Sequence, residues 1–153
     1  MEIVVNEWLL EHLRPDAKEC DTNLAFDFIR RWMKGPYKVV IRRESPFTKK
    51  LYRYMKESES HSDLIKKRFV RLFKFLLDSD RTIVADECDI NNLPQELEAK
   101  TPHKDKYLIE LAYSKSGRII VTTDTKLKEK LQDEPDLKIY LLEEFLQNYP
   151  VQN

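Results

Sequence analysis

GRIIVTTDTKL, residues 117–127, is the stretch whose reading decides the fold. The chain contains only 2 glycines, and one stands directly before this run. Ile119 to Thr122 is a run of apolar or β-branched residues, which a strand covered on both faces needs. Nothing in strand packing calls for an acid just past the strand end, yet Asp124 stands there. It can cap a helix around Lys126 to Leu131, or it can belong to a site.

Working outward, the same kind of apolar run recurs. Ile3 to Val5, KVVI (38–41), RTIVAD (81–86) and LKIYLL (137–142) read as further strands. Helical spacing fills the intervals. WLLEHL starts a helix that Pro15 stops, and Asp21 or Thr22 caps a second, with Ala25, Phe28, Ile29 and Trp32 on one face before Gly35-Pro36. Ser45-Pro46 opens a third, and Ser62-Asp63 opens a fourth lined by Ile65, Phe69, Leu72, Phe73 and Leu76. A loop region with Pro94 and Pro102 precedes a helix over 105–116, which Gly117 is expected to end as a left-handed cap. TKLKEKL and EEFLQNY supply the last two helices. Strands alternating with helices predict one α/β domain over 1–153, a three-layer α/β/α sandwich around a mainly parallel sheet. The first strand should neighbour the strand holding Ile119 to Val121.

Composition narrows the class. Hydrophobic residues at 41% and charged residues at 35% suit a globular chain with a heavily solvated surface. No apolar run is long enough to cross a bilayer and the N-terminus has no signal-peptide pattern, so a cytoplasmic protein with no membrane partner is expected. Cys20 and Cys88 form no CxxC pair, which gives neither a zinc site nor a disulfide framework. The formal net charge is zero, but residues 30–74 carry 15 Lys and Arg against 4 Asp and Glu. Such asymmetry is the footprint of a polyanionic partner, or of two well-solvated amphipathic helices.

Ligands of an open parallel sheet gather at the carboxyl ends of its strands, where the strand order reverses. Asn6 follows the first strand, Asp124 follows the strand of Ile119 to Thr122, and Asp105 stands at the start of the helix before that strand. Singly, Asp105 reads as a first-turn helix acid and Asp124 as an N-cap. Together they form a constellation. HKDKYLIELAYSKSGRIIVTTDTKL (103–127) resembles the C-terminal half of the PIN domain family of metal-dependent ribonucleases. That family has an Asp at a helix start, an Ala about two turns on, a Gly, an apolar strand and T-x-D. Here those positions are Asp105, Ala112, Gly117, and Thr122 with Asp124.

The resemblance implies Mg²⁺ or Mn²⁺ held by converging acids, hydrolysis of RNA phosphodiester bonds, and a small toxin with an antitoxin protein as partner. A homodimer is a further expectation. Converging carboxylates repel one another, so their approach itself asks for a cation. The catalytic set is then Asp105, Asp124, Asn6 and Thr122, with Glu7 and Glu44 as added metal ligands. RNA is expected on Arg42, Arg43, Lys49, Lys50, Arg53, Lys67, Arg68 and Arg71. Two positions depart from the pattern. Asn6 replaces the family's first acid, and SPFTKKLYRYMKE offers Lys49, Lys50 and Leu51 where the second acid belongs. Glu7 points to the opposite face from Asn6 if the strand continues, unless the chain bends. These departures give the alternative of a catalytically degenerate PIN-fold protein that binds RNA or another protein.

Overall fold

The computed structural model describes residues 1–115 and 117–149. Its strands are β1 (Glu2–Val5), β2 (Lys38–Arg42), β3 (Thr82–Ala85), β4 (Ile119–Thr122) and β5 (Lys138–Leu141). They form one sheet in the order β3-β2-β1-β4-β5, and every pairing is parallel. Parallel neighbours need a crossover, and helices supply it. In chain order these are α1 (Trp8–Glu11), α2 (Glu19–Lys34), α3 (Pro46–Ser58), α4 (Asp63–Leu77), α5 (Gln95–Lys100), α6 (Lys106–Tyr113), α7 (Thr125–Leu131) and α8 (Leu142–Asn148).

Successive strand residues point to opposite faces, and both faces are covered. Ile3, Val5, Val39, Ile41 and Val121 pack with α1 to α4 and α8. Val4, Val40 and Ile120 pack with α5, α6 and α7. This is the three-layer α/β/α arrangement. The central strand β1 lies beside β4, with Val4 opposite Ile120 and Val5 opposite Val121. Chain order runs outward from β1 to β3 on one side and then returns to β4 on the other. The reversal therefore falls between β1 and β4.

One side chain ties this seam to the helical layer. Trp8 in α1 is buried, donates its indole N–H to the Val121 carbonyl at 2.8 Å, and meets the Phe28 ring edge-on at 5.3 Å. Because strand β1 ends at Val5, this contact holds the turn through Asn6 and Glu7 against β4.

Several local expectations are corrected. α2 begins at Glu19 with Lys18 as its N-cap, and Thr22 instead donates its hydroxyl to the His12 carbonyl at 2.9 Å. The helix begun by WLLEHL is only one turn long. The loop region before Pro102 contains α5, a short helix with Leu97 as its buried residue, too brief to show periodicity. α6 ends at Tyr113 with Ser114 as C-cap, and Gly117 uses its left-handed φ of 84° in the turn entering β4. Ser116, the expected end of that helix, lies outside the described residues.

Replacing Trp8 by Phe removes the donor to a buried carbonyl and leaves space beside Phe28. The expected loss is about 2–3 kcal/mol of unfolding free energy. Urea titration measures it as a lowered midpoint with an unchanged slope. A midpoint equal to that of the wild type contradicts the role given to this bond.

Candidate functional site

The β1–β4 register puts Asn6 and Thr122 side by side at the carboxyl end of the sheet. Asn6 donates from Nδ2 to the Thr122 hydroxyl at 3.3 Å, and the backbone N–H of Asp124 donates to the same oxygen at 3.1 Å. Thr122 is fully buried, so its hydroxyl is a fixed joint between the two strand ends. The Asn6 Oδ1 is buried and accepts no hydrogen bond.

Asp124 answers both readings of the opening stretch. Its Oδ1 accepts the Leu127 N–H at 3.0 Å and caps α7. Its Oδ2 is left over, 3.8 Å from the exposed Lys104 ammonium. A capping carboxylate uses one oxygen, and the second remains available for other work.

Asp105 is not an ordinary first-turn acid. It occupies the N-cap position of α6 yet makes no capping hydrogen bond with its side chain. The residue is 6% exposed, and its Oδ2 is buried without a partner. Burial raises its pKa above the usual Asp range; Lys104 opposes the rise, and the charges of Asp124 and Glu7 add to it. Each unpartnered buried oxygen carries a cost on the order of 1–3 kcal/mol. Asp105 and Asn6 each contribute one.

Glu7 joins this group because the chain bends. Strand β1 stops at Val5, and Glu7 takes helical dihedrals as the N-cap of α1. Its Oε2 accepts the Tyr107 hydroxyl at 2.7 Å. Burial first, then the charge and hydrogen bond of Glu7, push the Tyr107 hydroxyl far above its usual range, so it remains a donor. Glu7 also acts on Lys50: burial opposes the ammonium, but Glu11, bonded at 2.7 Å, and Glu7 beyond it raise its pKa. The side of the crevice next to α3 therefore presents a lysine where the resemblance calls for an acid. Leu51 is in the core, Lys49 is exposed, and Glu44 is exposed with no hydrogen bond to Asp105 or Asp124.

The basic segment is spread over several places. Arg42 pairs with Glu87 at 2.6 Å, Arg43 with Asp86 at 2.5 Å, and Arg53 lies 3.9 Å from Glu57 and over the Tyr54 ring. Lys67, Arg68 and Arg71 line a groove between α2 and α4, in the helical layer opposite α6. Tyr107 and Lys104 are crevice residues that no sequence pattern singles out. The only signal was their position, two residues after and one before Asp105.

Among the described residues, no three Asp, Glu, His or Cys side chains stand close enough to form a ready-made metal cage. Asn6 and Asp124 meet through Thr122, the charge of Asp124 reaches Asp105, and the candidate donors are all oxygen: Asp105 Oδ2, Asp124 Oδ2 and Asn6 Oδ1. Hard divalent ions such as Mg²⁺ and Mn²⁺ are commonly held by one or two carboxylates and keep several waters, so these donors fit such an ion without a cage. The chain matches no protein-family model, no curated protein and no solved structure. The site must be read from its own geometry.

That geometry has a pH signature. The folded pKa of Asp105 lies above the unfolded one, so the unfolded chain holds fewer protons between the two values. Stability then falls as pH rises through that interval, and the ionised carboxylate burdens the fold most above it. In metal-free buffer at neutral pH, Asp105→Asn is expected to stabilise the fold by on the order of 1 kcal/mol, with the gain vanishing at acid pH. Thermal unfolding across the pH range measures this. A destabilised Asn variant at neutral pH would show instead that the carboxylate supports the fold.

Proposed function

We propose that this chain is a PIN-like, metal-dependent endoribonuclease domain with a reduced acidic set. The observation that carries the reading is the pair of unpartnered buried oxygens, on Asn6 and Asp105, at the point where strand order reverses beside Asp124. A stability-neutral surface has no use for such atoms, whereas a cation site does. The resemblance over residues 103–127 and the pairing of β1 with β4 support the same reading.

In this reading Asp105 and Asp124 hold Mg²⁺ or Mn²⁺, and the Asn6 amide oxygen completes the protein donors. A bound ion of this kind neutralises phosphate charge and makes a water more acidic. Thr122 fixes Asn6 and the Asp124 backbone, and Tyr107 holds Glu7 so that its charge stays on the crevice. Lys104 beside Asp124 and Lys50 beside Glu11 are cations positioned to meet an RNA backbone.

A second reading is favoured by a specific pair of observations. Position 6 contributes an amide, and α3 contributes Lys50, so the charge available to a cation is smaller than the resemblance implies. A PIN-fold protein that binds RNA without cutting it would have this site.

Asp124→Asn separates the readings from misfolding, because Asn caps helices about as well as Asp. The expected result with labelled mixed RNAs and Mn²⁺ is slow cleavage by wild type that falls by about 100-fold or more in the variant, with unchanged thermal stability. RNA that is bound but intact in every divalent buffer would select the binding reading. Binding of either kind should weaken steeply with salt as counterions are displaced.

A further inference from the structure

Away from the crevice, α2 and α4 enclose a groove of about 600 Å³. Leu13, Ile29 and Leu72 form its floor, and Phe26, Met33 and Leu64 stand along its rim. The rim residues are large apolar side chains left in solvent, with Leu64 at 64% exposure. Isolated exposed apolar residues are ordinary, but a recessed group of them is a mark of an interface.

The charge along this groove is of one sign. Its lining includes Arg30, Lys34, Lys67, Arg68 and Arg71 and no acidic residue. Arg42, Arg43, Lys50 and Arg53, outside the groove, each have a carboxylate within 4.0 Å, and within it Arg30 lies 3.5 Å from Asp27. Among the described residues no salt bridge is formed by Lys34, Lys67, Arg68 or Arg71. Arg68 lies over the Phe26 ring at 5.4 Å, and its buried Nε has no hydrogen-bond partner. An apolar floor bordered by unpaired cations is complementary to an apolar stripe bordered by carboxylates.

We propose that the α2–α4 groove is a docking site for an acidic amphipathic helix of a partner protein. Such a helix lays residues at i, i+3 or i+4, and i+7 into an apolar groove while its flanks meet the rim charges. RNA fits the floor poorly, since Leu13, Ile29 and Leu72 offer no hydrogen bonds to bases, and of the two lining rings Phe26 is covered by Arg68 and Phe75 packs against Trp32. A flat lipid surface fits poorly as well, because the apolar floor is recessed between two helices. Among the described residues a second copy of the chain offers no matching part. Its other exposed large apolar residues, Met1, Tyr52, Val70, Leu77 and Val84, do not lie on an acidic helix. The proposal does not depend on the nuclease reading, because none of the lining residues belongs to the crevice.

The test uses the full chain and a fluorescent synthetic helix of about 15 residues with Leu at i, i+4, i+7 and i+11 and Glu on both flanks. Controls are the same residues in scrambled order, and the same stripe flanked by Lys. The expected anisotropy result is binding at least about tenfold tighter than to either control, weakened about tenfold by Leu64→Glu and by Met33→Glu. Lys67→Glu with Arg71→Glu should reverse the preference toward the Lys-flanked peptide. All these positions are exposed or on the rim, so circular dichroism should show native folds. The proposal is overturned by equal binding of the scrambled peptide, by indifference to all of these substitutions, or by a solution dimer that Leu64→Glu dissolves. Displacement of the acidic peptide by oligouridylate at equal concentration would likewise assign the groove to RNA.

Discussion

The pairing of β1 with β4 is the constraint on which the rest depends. Val5 opposite Val121 fixes where both strands end, and the Trp8 indole bonded to the Val121 carbonyl prevents the chain from sliding past that point. A one-residue slip would turn Asn6 to the other face and bury a different side chain in its place. The central position of β1, with three consecutive core residues, makes such a slip expensive. The crevice is thus a by-product of register at the centre of the sheet.

Against that rigid seam, the crevice itself is poorly stabilised. Asp105 gives up the capping bond its position offers, and Asn6 leaves a buried oxygen without a donor. Lys104 offsets part of the resulting charge, but from the solvent side, where screening weakens it. Such groups are open to a water or an ion, and their local cost is borne by the packed layers on either side. Tyr107 shows the same logic in reverse. A half-buried phenol bonded to Glu7 keeps a third carboxylate turned toward the crevice, although the strand pattern alone would send it elsewhere.

The sheet was legible because its signal is long and redundant. Apolar runs such as IIVT and KVVI need cover on both faces, and the intervening helical stripes provide it. The neighbours Asn6 and Asp124 were legible too, because strand ends in parallel sheets converge. What escaped the sequence depended on single residues. α5 buries one side chain, Leu97, and no period can be read from one residue. The start of α2 at Glu19 and the end of α6 at Tyr113 turn on backbone hydrogen bonds that several neighbouring residues could supply equally well. The reorientation of Glu7 required knowing that β1 stops at Val5. The division of the basic segment into paired cations by β2 and unpaired ones along α4 is a property of tertiary neighbours, invisible in a charge count.

The central claim is that Asp105, Asp124 and Asn6 share one divalent cation. Asp105 and Asp124, the two carboxylates offered as direct ligands, balance a single divalent charge while Glu7 is held by Tyr107, so binding should be weak in the wild type, and a carboxylate at position 6 should tighten it. Calorimetric titration of Mn²⁺ into wild type, Asn6→Asp and Asp124→Asn measures this most directly. The account predicts measurable weak binding in the wild type, binding at least about tenfold tighter in Asn6→Asp, and none in Asp124→Asn. Equal Mn²⁺ affinity in Asp124→Asn and wild type would contradict it and leave Asp124 as a helix cap alone.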